Sequence, residues 1–233
     1  MFGLMKGKKA GLLVDEETSI ADVRYVVVDT ELTGLNEKKD SIVSVGAMRM
    51  TGGSIGLGSA FSRLVSPESG LSPASIMIHE ITPSDVVLKP NIDTVLTEFM
   101  EFCGDAVLVG HFISIDLAFI NRELKRMRGA PLANAAVDTY SLYEWLRKRP
   151  GAPGCPSPPN DSRKLYDLAK CFGIEVSGAH KALMDAFMTA QLFQRLLPLL
   201  ARAGVGSAGE LVRIGSPFKG GDRFKMSGEI SNF

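Results

Sequence analysis

Arg24-Tyr-Val-Val-Val-Asp-Thr-Glu-Leu-Thr-Gly34 decides how the chain is read. Its aromatic and β-branched run has the character of a buried strand, and at the C-terminal end it delivers Asp29 and Glu31. Side chains two apart on a strand share a face. Two acids on one face of an apolar strand repel and lose solvation unless a cation sits between them. Either this is a strand end that keeps its acids in water, or it is half of a metal site.

Composition narrows the class. The chain has 233 residues, 45% hydrophobic and 22% charged, which suits one folded, water-soluble domain with a full core. Lys plus Arg (26) equals Asp plus Glu (26), so no global basic field draws in a polyanion. A nucleic-acid partner would have to be held by a local patch or by metals. Cys103, Cys155 and Cys171 are odd in number and lack CxxC spacing, as expected of reduced thiols in a cytoplasmic protein. The apolar run Ala10–Val14 ends at Asp15 and is too short for a secretory or membrane-spanning segment.

Working outward from the first strand, Ile42–Met50 reads as a second strand, Thr51-Gly-Gly-Ser54 as a hairpin turn and residues 55–65 as a third. Three strands in succession predict an antiparallel meander. Residues 67–90 read as a loop-rich excursion with a short helix near Ile76–Glu80. Ile92, Val95, Leu96, Phe99 and Cys103 then recur at helical spacing. A short strand at 106–110, a helix from Asp116 to Arg128, a strand at 135–137 and a helix at 139–149 follow. The proline-rich stretch 150–159 is expected to be an exposed loop. A helix around Leu165–Phe172 and a long one from about His180, ended or kinked by Pro198, complete the order. These elements predict an α/β fold, a mixed five-stranded sheet of antiparallel meander plus parallel strands, flanked by helices. Residues 1–22 are expected to be a loosely ordered leader, 23–202 the folded domain and 203–233 a flexible tail.

Two further acids stand where chemistry would use them. Asp116 opens a helix after a buried strand, a place aspartate also takes as a helix-start residue. Asp185 lies among Ala182, Ala186 and Ala190, where burial without a partner would be costly. His180 precedes it by five residues.

Val28-Asp29-Thr-Glu31-Leu-Thr-Gly34, then His111-Phe-Ile-Ser-Ile-Asp116, then His180-Lys-Ala-Leu-Met-Asp185 resemble, in order and spacing, the three motifs of the DEDDh (DnaQ-like) 3′-to-5′ exonucleases. That family includes the proofreading epsilon subunit of bacterial DNA polymerase III and ribonuclease T. The resemblance spans about residues 24–200 and implies a ribonuclease H-like fold. It implies that Asp29, Glu31, Asp116 and Asp185 hold two divalent ions, Mg²⁺ or Mn²⁺. It also implies that His180 is the general base, and that Leu32, Thr33 and Gly34, with His111 and Phe112, receive the substrate. Such ions, about 4 Å apart, would activate a water and stabilise the leaving 3′ oxygen. Phe112 and Ile115 depart from the family, which usually has asparagine and phenylalanine there; no metal ligand is lost.

The expected activity is hydrolysis of a single-stranded or frayed DNA 3′ end to nucleoside 5′-monophosphates, in proofreading or repair, with a DNA polymerase subunit as a possible partner and no membrane. The alternatives are RNA 3′ trimming in the manner of ribonuclease T, or a non-catalytic module that binds nucleic acid or a polymerase. Arg122, Lys125, Arg126, Arg128, Lys181 and Arg147-Lys148-Arg149 are candidate phosphate contacts or, equally in kind, solvated helix faces.

Overall fold

A computed structural model describes residues 13–149, 154–176, 178 and 180–217. Alternation along the first strand, β1 (Arg24–Leu32), organises it. Tyr25 and Val27 point into one apolar layer, Val26 and Val28 into the other. Because helices cover both faces, the strand reads as a continuous apolar run. β2 (Ile42–Thr51) and β3 (Ser54–Leu64) add the antiparallel meander on one side. Beyond the short helices α1 (Pro73–His79) and α2 (Pro83–Val86), α3 (Ile92–Cys103) starts at an Asn91 cap and leads to β4 (Val107–Gly110). α4 (Ser114–Arg128) connects β4 to β5 (Ala136–Asp138). The sheet order is β3-β2-β1-β4-β5, with β4 and β5 parallel to β1.

α3 and α4 cover the Val26/Val28 face. The Tyr25/Val27 face takes α5 (Thr139–Arg147), α6 (Leu165–Cys171), α7 (Ala182–Arg202) and α8 (Ala208–Gly215). The phase of β1 therefore aims Asp29 and Glu31 at α7, and Thr30 at α4.

Several sequence expectations shift. The excursion holds two short helices, the first beginning at Pro73 behind a Ser72 cap. α7 begins two residues after His180, and Pro198 neither ends nor starts it. That proline lies on the exposed side, where water can satisfy the carbonyl left without an N–H partner. The largest correction concerns the ends. Residues 203–217, expected as tail, carry α8, closed at its start by a Ser207–Glu210 capping box and burying Ala208 and Leu211. The expected leader binds it: Ile20 N–H donates to the Gly206 carbonyl (3.0 Å) and Ala208 N–H to the Thr18 carbonyl (2.8 Å). Each segment covers the other's backbone, so the packed body reaches past 23–202 at both ends. The readings of residues 1–12, of 150–153 and of 218–233 lie outside the described residues. Of the proline-rich stretch, Pro156 is tied by its carbonyl to the Tyr143 hydroxyl (3.1 Å).

Candidate active site

Asp29, Glu31 and Asp185 converge, each offering an oxygen within 4.8 Å of the other two. The strand supplies the first two by its period of two, and the first turn of α7 supplies the third. Glu31 and Asp185 are buried, Asp29 half-buried. Asp116, on the first turn of α4, approaches from the other face and accepts a 2.6 Å hydrogen bond from the Thr30 hydroxyl.

The electrostatics are those of desolvated, mutually repelling carboxylates. Burial, then the charges of Asp116, Glu31 and Asp185, hold the Asp29 carboxyl well above its ordinary range. Burial with Asp185 and Asp116 pushes Glu31 up to about 8. Burial raises Asp116 to about 7 despite the Thr30 hydroxyl, with Asp138 adding repulsion. Asp185 is raised by burial and partly relieved by donors from Tyr166 and His180. Its Oδ1 is buried with no hydrogen-bond partner among the described residues. Clustered acidic oxygens and one orphaned buried acceptor fit a hard divalent ion, so these residues could hold one.

His180 stands beside this cluster in left-handed backbone conformation (φ 63°), costly for a residue with a Cβ. Its N–H donates to Asp185 Oδ2 (2.9 Å) and to the Tyr166 hydroxyl (3.0 Å), which holds the strained turn.

Comparison with known proteins matches residues 26–193 to the RNase_T profile, whose description is exonuclease. The chain is 34% identical over 197 residues to DNA polymerase III subunit epsilon of Aquifex aeolicus, covering 84% of this chain and 92% of that protein. This chain belongs to the exonuclease family. The DnaQ-like resemblance holds, and with it a 3′-to-5′ exonuclease, a hydrolase. The DNA polymerase III PolC-type protein of Staphylococcus aureus is 33% identical over 210 residues, 86% of this chain but 14% of that protein. A solved structure, exonuclease X in complex with 5′ overhanging duplex DNA, superposes with a TM-score of 0.61 at 25% identity, covering 82% of this chain and 98% of that one. The ribonuclease H-like sheet expected from sequence is therefore the observed one.

The exonuclease motifs do not all point the same way. The Thr33 hydroxyl is buried and engaged with Asp40, Ser41 and Ser69, fixing the loop after β1, while Leu32 beside it stays half-buried. Gly34 lies against the Asp40 carboxylate, where a Cβ would come within 2.6 Å. Both ring nitrogens of His111 are engaged by the protein. Its Nδ1 meets the Thr139 hydroxyl (2.9 Å) and its Nε2 the Arg163 carbonyl (2.8 Å), so it links β4, α5 and the loop before α6. Phe112 is also left-handed (φ 55°), held by its N–H to Asp138 Oδ1 (2.7 Å), with its ring 5.1 Å from Tyr140.

Three residues near the site carried no sequence signal: Thr30, Asp138 and Tyr166. Their partners are far along the chain; Thr30 lies inside the first motif, between Asp29 and Glu31, but only the fold shows that its hydroxyl meets Asp116. The basic runs are largely engaged in structure. Arg122 bonds Glu123 and the carbonyls of Glu37 and Asp40; Arg126 bonds Glu123 and Asp93; Arg147 and Lys148 pair with Glu144. Among the described cysteines Cys103 is buried, and burial pushes its thiol up to about 12; none of the three is in a disulfide. No helix among the described residues is long and apolar enough to cross a membrane.

Proposed function

We propose that this chain hydrolyses the 3′-terminal phosphodiester of single-stranded or frayed DNA, releasing nucleoside 5′-monophosphates, in proofreading or repair. The observation that carries this reading is the convergence of Asp29, Glu31 and Asp185 around the orphaned Asp185 Oδ1. All-carboxylate donors suit Mg²⁺ or Mn²⁺. Asp29, Glu31 and Asp185 would hold one ion, and Asp29 with Asp116 a second. Bound there, the ions would lower the pKa of the attacking water and offset charge on the leaving oxygen. His180 takes the water's proton, a role an imidazole fills near neutral pH. Thr33, through Ser41, Ser69 and Asp40, keeps the main chain at 32–34 rigid for the terminal nucleotide.

DNA is favoured over RNA because the relative covering most of the chain is a DNA polymerase III subunit and the compared structure holds DNA. The same relatives support a polymerase partner and a cytoplasmic setting. The test is shortening of a labelled single-stranded DNA oligonucleotide and its RNA counterpart with Mg²⁺, with Mn²⁺ and with chelator. Stepwise loss from the DNA 3′ end only with metal, absent in Asp185→Ala, is expected. Equal or faster loss from RNA would move the assignment to RNA trimming, and no cleavage of either by the folded, metal-loaded protein would leave a binding module.

A further inference from the structure

The Tyr166 hydroxyl, from the first turn of α6, meets three groups at once. They are Asp185 Oδ2 at 2.9 Å, the His180 N–H at 3.0 Å and His180 Nδ1 at 3.2 Å, with the two rings edge to face at 5.1 Å. A phenol has one proton to give and two lone pairs to receive with. The proton goes to the best acceptor, and an ionised carboxylate, acceptor-only and at the shorter distance, is that acceptor. Both lone pairs are then left for donors. The backbone N–H of His180 is a donor by necessity. Nδ1 completes the set only when it carries the imidazole proton. We infer that Tyr166 is a positioning residue that fixes neutral His180 as its Nδ1–H tautomer, leaving Nε2 as the basic nitrogen, while holding Asp185 through Oδ2 so that Oδ1 stays free.

This deepens the proposed function and rests on its reading of His180 as base. One hydroxyl thereby couples the proton acceptor to a carboxylate of the acidic cluster. The arrangement contrasts with His111, where the Arg163 carbonyl, unable to donate, requires Nε2–H.

The test compares the full chain with Tyr166→Phe, which keeps the ring and removes only the hydroxyl. In ¹⁵N-labelled, metal-free protein above pH 8, long-range ¹H–¹⁵N correlations report which imidazole nitrogen is protonated, and the His180→Gln variant identifies the signal. The expected result is protonated Nδ1 in the wild type and a shift of the proton toward Nε2 in Tyr166→Phe, which stays folded with a melting temperature lowered by only a few degrees because the His180 N–H keeps its bond to Asp185 Oδ2. With metal, kcat should fall roughly 10- to 100-fold, the loss typical of removing a group that orients a metal ligand, while KM for DNA stays within about twofold. Wild-type His180 found as Nε2–H, or an unchanged tautomer in Tyr166→Phe, would overturn the inference. A wild type that shows the expected tautomer but no exonuclease activity would support the Tyr166 link and refute the proposed function instead.

Discussion

Gly46 on β2, the cross-strand partner of Asp29, lies so close to the start of α7 that a Cβ on it would sit 2.2 Å from the Ala182 carbonyl carbon and from the Leu183 nitrogen. The contact is with main chain, which cannot swing aside as a side chain can. The absence of one methyl group thus lets α7 descend onto the sheet opposite Asp29, and brings Asp185 into range of the strand carboxylates.

Gly46→Ala should therefore push the first turn of α7 off the sheet. A displacement of about 1 Å at a reacting centre can cost on the order of 100-fold in rate, and overpacking about 1–3 kcal/mol in stability. Urea unfolding and exonuclease rates, measured on the same preparation, check both. Wild-type activity in Gly46→Ala would show that the close approach does not set the Asp185 distance.

Asp29→Asn should separate activity from stability in opposite directions. Burial and three neighbouring acids disfavour the charged form of Asp29, so in the metal-free protein its carboxylate is a repulsive load wherever it ionises. Neutralising it should raise the melting temperature in chelator by roughly 2–4 °C, the shift that about 1 kcal/mol produces at this chain length. Hydrolysis should disappear. A lower melting temperature for Asp29→Asn in chelator would mean that the cluster is not under like-charge strain.

How far the sequence carries this site can be traced residue by residue. Asp29 and Glu31 were legible because a strand's alternation is a local property, and Tyr25 and Val27 set the phase. Asp185 was legible because an acid among inward alanines is anomalous. Tyr166 was not, since a tyrosine beside Leu165 and Leu168 looks like any core-flanking aromatic; its meaning arises only when α6 meets the turn at His180. The partners of His111 were hidden for the same reason. Its motif position suggests substrate contact, whereas Thr139 and Arg163, distant in sequence, claim both ring nitrogens. At the chain's ends, Ser207 and Glu210 have capping-box spacing, but glycines at 204, 206 and 209 obscured it. The pairing of Thr18 and Ile20 with that segment depends on contacts no local pattern encodes.

His111→Ala should act mainly on stability. Removing the half-buried ring takes a partner from the Arg163 carbonyl and from the Thr139 hydroxyl, which keeps its bond to the Gly110 carbonyl, a loss of about 1 kcal/mol for each hydrogen bond. KM for a DNA oligonucleotide should change by less than about threefold, because neither ring nitrogen is open to substrate. Denaturant midpoints paired with initial rates distinguish the outcomes; a large rise in KM with an unshifted midpoint would return His111 to the substrate surface.

The acidic cluster also fixes the sign of the pH dependence. Glu31 moves from an ordinary value of 4.5 up to about 8 and Asp116 from 3.8 to about 7, so the folded, metal-free protein binds more protons than the unfolded chain between these limits. Stability from these groups is present in full below about pH 4 and is lost as pH rises through 7 and 8. A divalent ion needs the deprotonated carboxylates, so its binding opposes the same titration and grows stronger with pH. Melting temperatures in chelator should fall between pH 5.5 and 8.5 relative to a Glu31→Gln variant, which lacks one of the titrating groups. The rise on adding Mn²⁺ or Mg²⁺ should increase across that range and be smaller in Glu31→Gln. A metal-induced shift of constant size from pH 5.5 to 8.5 would mean that the ion does not compete with protons for Asp29, Glu31, Asp116 and Asp185, and would remove the basis for reading them as its ligands.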